Sequence, residues 1–156
     1  MKTQPLSEMG PEERGIIVRV SGSGEIRRRL LDMGVVTGAE VEIERYAPLG
    51  DPVQIRVKGY DLALRKTEAQ KILVEVQEGS LSRVESGEVV TVVAIRAGWG
   101  LQRRLNDMGL IPGAVIRVVS SGQPGQVVLE VRGSRLALGQ GVAAKIFVRS
   151  GGDRVD

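Results

Sequence analysis

A chain of 156 residues with a formal net charge of +3 and 42% apolar residues can form one medium domain or two small ones. It has no cysteine and no histidine, which excludes disulfide frameworks and thiolate chemistry and removes both the commonest metal ligand and the usual acid–base residue. Glycine is abundant at 21 and aromatic residues make up only 3%, a composition of tight turns and short apolar runs that suits small β-barrels.

The N-terminus, Met1 to Pro5, has no apolar signal core, and no apolar run approaches the ~20 residues a membrane-spanning helix needs. A cytoplasmic protein is expected. Leu6-Ser7 is a short lead-in to Ile16 to Val20, a β-branched run of strand length. Gly22-Ser23-Gly24 reads as a turn. Ile26, Leu30 and Met33 then fall at i, i+4 and i+7, which predicts a short helix with one apolar face, capped by Ser23 and carrying Glu25 in its first turn. Gly34 sits where a left-handed C-terminal residue is wanted, and Thr37-Gly38 can take the centre of a type II turn. Val41 to Glu44 and Val53 to Lys58 alternate apolar and polar residues as strands joined by the hairpin loop Ala47-Pro48-Leu49-Gly50-Asp51-Pro52. Gly59-Tyr60-Asp61 turns the chain into a brief strand, Leu62-Ala63-Leu64. Thr67 to Gln70 suits one helical turn capped by Thr67, and Ile72 to Val76 closes the unit.

The same order then recurs. Arg27 to Ala39 matches Gln102 to Ala114 at eight of thirteen positions at an offset of 75, where chance gives about one. Leu81-Ser82 repeats the lead-in, Val89 to Ile95 the first strand, and Gly98-Trp99-Gly100 the turn. Leu101, Leu105 and Met108 repeat the helix, Gly109 its C-terminal glycine, and Pro112-Gly113 the type II turn. From Val57 to Val74 the offset is 74, and nine of eighteen positions match. A boundary is expected near Gly79-Ser80, which gives domains at 1–79 and 80–156, and the polar tail after Arg149 is expected to fray. Each unit reads as about five short strands with one helix after the first. Such strands can close as a small barrel, removing exposed edges, with the helix's Ile/Leu/Met face plugging one end. Residues 1–79 carry 12 Lys+Arg against 13 Asp+Glu, a net −1, while residues 80–156 carry 10 against 6, a net +4. The second unit is therefore the one suited to an acidic partner.

The block Arg28 to Gly38, the Ala47–Pro52 loop, Gly59-Tyr60 and Leu62 to Arg65, in that order and spacing, resemble the ferrous iron transport protein A (FeoA) family over roughly residues 6–76. The second copy is similar to it through Arg103 to Gly113 and Leu136 to Val148. It departs at Ser120 to Gly125, which replaces the Ala-Pro-Leu-Gly-Asp-Pro loop, and at Gly139-Gln140-Gly141, which replaces Arg65-Lys66-Thr67. The resemblance implies a mainly β protein of two SH3-like barrels in tandem, each with one short inserted helix. It also implies a non-enzymatic accessory or regulatory role beside FeoB, a ferrous-iron transporter in the membrane whose cytoplasmic part is a GTPase. The same barrel occurs in iron-dependent repressors, which leaves an iron-linked or nucleic-acid-associated regulator as the alternative.

The residues themselves narrow these readings. Arg28 with Asp32, and Arg103 with Asp107, are spaced as intrahelical ion pairs worth ~0.3 kcal/mol, or as a charged patch facing a partner. Arg29 and Arg104 flank the apolar face and are placed to reach backbone carbonyls across the core. Asp51, Asp61, Glu40, Glu42 and Glu44 could offer oxygen ligands, but without histidine or cysteine they give at most weak transition-metal binding, so no metal site and no cofactor is expected. Gly22-x-Gly24 lacks the rest of a phosphate-binding motif. Four aromatic residues are too few for a stacking platform, so nucleic acid is not the expected partner, nor is a small-molecule substrate. No Ser-His, Cys-His or metal–water arrangement supports an enzyme. Partner binding is expected mainly on the first unit. Pro48, Leu49 and Asp51 at the hairpin tip, with Tyr60 beside them, would form a small apolar anchor held by two prolines, with Arg28 on the helix and Trp99 in the second unit as further contacts; the alternative is that Leu49 folds back onto its own barrel.

Overall fold

The computed structural model describes residues 2–121 and 125–152. It divides into two compact units, Lys2–Gln77 and the chain from Glu78 onward. Each is a small SH3-like barrel of short antiparallel strands built in the same order.

In the first unit β1 (Thr3–Pro5) leads into a 3-10 turn at Leu6–Glu8, whose Leu6 is fully buried. β2 (Arg14–Val20) is followed by helix α1 (Gly24–Asp32), then β3 (Glu40–Tyr46), β4 (Val53–Val57), β5 (Tyr60–Leu64), the single turn α2 (Lys66–Ala69) and β6 (Ile72–Ser80). The strand order is β6-β2-β3-β4-β5, with β1 added beside β6. Alternation decides which side faces inward. Val41 and Ile43 on β3, Val53, Ile55 and Val57 on β4, and Leu64 on β5 are all at most 2% exposed, while their polar neighbours face solvent.

The second unit repeats this with a 3-10 turn at Leu81–Arg83, β7 (Val89–Ile95), α3 (Trp99–Asp107), β8 (Val115–Ser121), β9 (Gln126–Val131), β10 (Ser134–Gly139), α4 (Gln140–Ala143) and β11 (Ile146–Ser150). Its order is β10-β9-β8-β7-β11, and β11 also pairs with the end of β6 from Glu78 to Ser80. Both β3 and β8 carry a bulge at the same place. Ile43 and Arg45 pair with consecutive residues of β4, leaving Glu44 extra; Val118 and Ser120 do the same on β9, leaving Val119 extra. Neither sheet is a closed cylinder among the described residues. β5 and β10 are terminal strands, bonded on one side only, so edges remain where full closure was expected.

The helices end by one device in both units. Gly34 has φ +90°, its N–H donates to the Leu31 carbonyl at 3.0 Å, and the Val35 N–H donates to the Leu30 carbonyl at 3.0 Å. Gly109, at φ +97°, and Leu110 make the equivalent bonds to Asn106 and Leu105. This is a Schellman termination, and the buried contact that accompanies it joins Leu30 to Val35 and Leu105 to Leu110, all at most 1% exposed. The type II turns follow: Ala39 donates to Val36 and Ala114 to Ile111, across Gly38 and Gly113 at φ +91° and +94°.

Several local expectations are corrected. Trp99 and Gly100 belong to the first turn of α3, because Gly98 already serves as its N-cap. Ser23 is the N-cap residue of α1, but its hydroxyl makes no capping bond. Arg65, not Thr67, is the N-cap of α2; its N–H is held by Glu68 Oε1 at 2.9 Å, while Asp51 Oδ1 takes the Lys66 N–H at 3.0 Å. The turn before β5 is Lys58-Gly59, both left-handed, and Tyr60 and Asp61 are already in the strand. Only Leu30 and Leu105 of the helical apolar faces are deeply buried; Ile26 stays 37% and Met108 44% exposed, so the plug is narrower than the 3.6-residue spacing suggests. The tail is tied down through Gly152: the Gly151 N–H donates to Val89, and the Thr91 hydroxyl donates to the Gly151 carbonyl at 2.8 Å. The remainder of the expected frayed tail, 153–156, lies outside the described residues.

Candidate functional site

The hairpin loop between β3 and β4 is braced from within. The Gly50 N–H donates to the Ala47 carbonyl at 2.7 Å, the Ala47 N–H donates to Pro52 at 3.0 Å, and Asp51 reaches the start of α2. Those bonds leave Leu49 at the tip, 96% exposed, with Pro48 exposed beside it. Leu49 therefore does not fold back on its own barrel. Its counterpart loop in the second unit falls largely on 122–124, outside the described residues.

Tyr60 is also exposed, at 68%, but it is not beside Leu49. The loop enters β4 at Val53, which pairs with Leu64, whereas Tyr60 pairs with Val57 at the far end. About 13 Å of strand separates the two ends of β4. The single Leu–Tyr anchor is thus two surfaces, because a hairpin's loop and its following turn lie at opposite ends of the strand they share.

Arg28 is exposed on α1, and among the described residues it makes no ion pair with Asp32, nor does Arg103 with Asp107. Arg103 instead lies over the Trp99 ring at 5.2 Å, on a tryptophan that is 73% exposed. The backbone-reaching cation is Arg27, whose Nε donates to the Val20 carbonyl at 3.1 Å; Gln102 makes the equivalent bond to Ile95. Arg29 pairs with the carboxylate of Glu68 on α2 rather than with a carbonyl. This pair was not foreseen, since its members lie on different elements and only the fold brings them together.

Beside that pair is a cleft of about 510 Å³ lined by Ile26, Arg29, Met33, Ala63, Arg65 and Glu68. It runs between α1, the end of β5 and α2, and its partly exposed apolar residues are those left out of the helical plug. Four of the five acidic residues singled out by the sequence, all but the exposed Glu40, are engaged elsewhere. Arg56 Nε lies 3.3 Å from Glu44 and 3.2 Å from Asp61, and Arg14 lies 3.6 Å from Glu42. The hydrogen bond to Asp61 raises the Glu44 carboxyl above its ordinary value, and the same bond, with help from Arg56, lowers Asp61. Asp51 is the brace of α2. No group of three acidic residues placed to hold a metal ion occurs among the described residues. No helix there is long and apolar enough to cross a membrane.

The FeoA domain model matches residues 4–76 and, a second time, residues 79–150. A fusion protein of Porphyromonas gingivalis, Fe(2+) transport protein A joined to the Fe(2+) transporter FeoB, is 44% identical over 71 residues, covering 46% of this chain and 8% of the fusion. A putative Fe(2+) transport protein A of Methanocaldococcus jannaschii is 40% identical over 68 residues, 44% of this chain and 82% of its own. The solution structure of iron(II) transport protein A from Clostridium thermocellum superposes with a TM-score of 0.62 at 34% identity, covering 96% of this chain and 90% of that one.

Proposed function

The chain belongs to the FeoA family twice over, and from that premise we propose that it is a non-enzymatic accessory of ferrous iron uptake that docks on the cytoplasmic part of a FeoB-type transporter. One observation carries the reading: the Porphyromonas gingivalis relative joins a segment 44% identical to this chain to the transporter itself. Fusion places two domains at high effective concentration, and a separate chain must reach the same arrangement through its own affinity.

The surfaces available suit a binding module. Leu49 is a braced apolar tip, and a preformed loop gives up little freedom on binding. Tyr60 and Arg28 stand on other parts of the first unit, and Trp99 on the second. A cytoplasmic location follows from the same reading, since the docking partner's GTPase faces that side.

The test is a binding measurement between the full chain and the isolated cytoplasmic region of the transporter, with Leu49→Asp and Tyr60→Ala examined separately because they lie on separate surfaces. Leu49→Asp is expected to weaken binding at least about tenfold, equivalent to about 1.4 kcal/mol, without altering the circular dichroism spectrum. Absence of binding by the parent chain, together with salt-sensitive retention on DNA or RNA, would replace this reading with the nucleic-acid one.

A further inference from the structure

The cleft of the first unit has a matching face on the second, and the two differ in chemistry. In the first, Glu68 uses Oε1 to hold the Arg65 N–H and its other oxygen to pair with Arg29. The cation facing that cleft is therefore neutralised from inside the barrel. In the second unit the matching positions are Leu101, Arg104, Met108, Ala137, Gly139, Gly141 and Val142. Val142 stands where Glu68 would be, and Arg104 stays exposed with no carboxylate partner among the described residues.

The replacements also trim side chains from this face. Gly139 and Gly141 take the places of Arg65 and Thr67, and a Cβ added at either would meet nothing within 4 Å. Gly139 has φ −64°, which any residue adopts. Neither glycine is demanded by backbone or packing. The floor is apolar: Leu101 and Val142 pack partly against the second core, and Met108 is 44% exposed. Among the described residues β10 is hydrogen-bonded as a strand to β9 only, so its outer edge keeps unpaired backbone donors and acceptors.

We propose that this face of the second unit binds an extended segment of a partner protein that alternates apolar with acidic side chains. The inference rests on the reading of the chain as a docking module and names the surface and the chemistry of one of its contacts. The free strand edge selects an extended peptide, because only a polypeptide backbone matches its repeat of donors and acceptors. The apolar floor takes every second side chain of such a segment. Arg104 takes an acidic one, in keeping with the net +4 of residues 80–156. A lipid headgroup or a nucleic acid would meet the charge but leave the strand edge and the apolar floor unmatched.

The test uses the full-length chain, labelled for amide NMR, and two blocked heptapeptides that alternate Val with Glu or Val with Lys. The Glu peptide should shift amides in α3, β10 and α4, leave α1 and α2 unmoved, and bind at least about tenfold more tightly than the Lys peptide. Arg104→Glu should remove that preference. Gly139→Arg with Gly141→Thr, which adds the first unit's side chains where a Cβ has room, should weaken binding while thermal unfolding stays unchanged. Glu68→Val should let the same peptide into the first cleft. No shifts with the Glu peptide, equal binding of the Lys peptide, or equal shifts in both units overturns the proposal. Arg104→Glu measured against the transporter's cytoplasmic region separates the two readings. If the parent chain binds the transporter but no peptide, docking stands and this site falls. If it binds the peptide but not the transporter, the site stands and the docking reading falls.

Discussion

The first unit lines its cleft with a pair of its own, Arg29 with Glu68, and the second has Val142 in place of the glutamate and leaves the equivalent arginine exposed. The same contrast appears within the sheets. Gly15 on β2 lies so close to β6 that a Cβ would sit 2.3 Å from the Glu75 carbonyl oxygen, whereas the matching position in the second unit is Val90, a buried core side chain. What both copies keep is the helix leucine, the Schellman glycine and the type II turn. Those features set the path of the backbone, so they constrain either copy alike. Side chains that only complete a surface are free to diverge, and there the units have become different objects.

The largest effect that could sharpen or break this contrast comes from the two core leucines. Leu30→Ala and Leu105→Ala should each cost ~2–5 kcal/mol through lost burial and the cavity left behind. Both tyrosines, Tyr46 and Tyr60, lie in the first unit and the only tryptophan, Trp99, in the second, so fluorescence reports on each separately during denaturation. Leu105→Ala should lower the Trp99 midpoint, and Leu30→Ala the tyrosine midpoint. Equal shifts of both signals by either variant would mean the two cores do not melt as separate units.

A smaller loss is expected for Glu68→Ala, about 1 kcal/mol, because it releases both the N-terminal bond of α2 and the partner of Arg29, whose side chain is 62% exposed and largely screened by water. Val142→Ala in the second unit removes no polar contact. If Glu68→Ala proved no more costly than a surface substitution, neutralisation of Arg29 in the first cleft would lose its physical basis.

The smallest effect concerns pH. Glu44 is raised, so what it contributes is present at acid pH, where it donates its proton to Asp61, and is lost as pH rises through its elevated value. Asp61 is lowered, so its contribution is present above its ordinary range and is lost as pH falls through the depressed value. Asp61 is exposed and Glu44 half-buried at the solvent face of the sheet, and the effect belongs in a titration rather than in a melting curve. Carboxyl NMR should find Glu44 titrating above its usual range and Asp61 below, with Asp61 moving up in Glu44→Ala. An unmoved Asp61 would assign its shift to the neighbouring arginines, Arg56 and Arg45. The second unit has Arg135 at the place of Asp61 and should show no such pair.

Much of the backbone was legible because its signals are local. A helix with apolar residues at i, i+4 and i+7, followed by a glycine, can end in few ways, and a Pro-Gly or Thr-Gly pair before a strand limits the turn. The candidate site was legible only in part. The hairpin tip between prolines was legible, but whether Leu49 stood out or folded back was decided only by the bonds that brace the loop. The separation of Tyr60 from it required the register of β4 with β5, which alternation alone does not supply. The Arg29–Glu68 pair joins α1 to α2 and leaves no periodic trace. Arg65 as an N-cap was missed because its cap is made by Glu68 reaching back, not by its own side chain. A Glu three residues after the cap position was the available signal.

The bulges in β3 and β8 act as frame markers for the repeat. Glu44 and Val119 are 75 residues apart, yet Val53 of β4, which pairs with Tyr46, and Val127 of β9, which pairs with Ser121, are 74 apart. The one-residue difference between the copies therefore falls in the connection after the bulge and not in a strand, where it would turn every later side chain to the wrong face. The hairpin tip is the place where this fold absorbs changes in length. A short epitope inserted between Leu49 and Gly50 should leave both frames intact, which makes that tip a site for attaching a label or a tether.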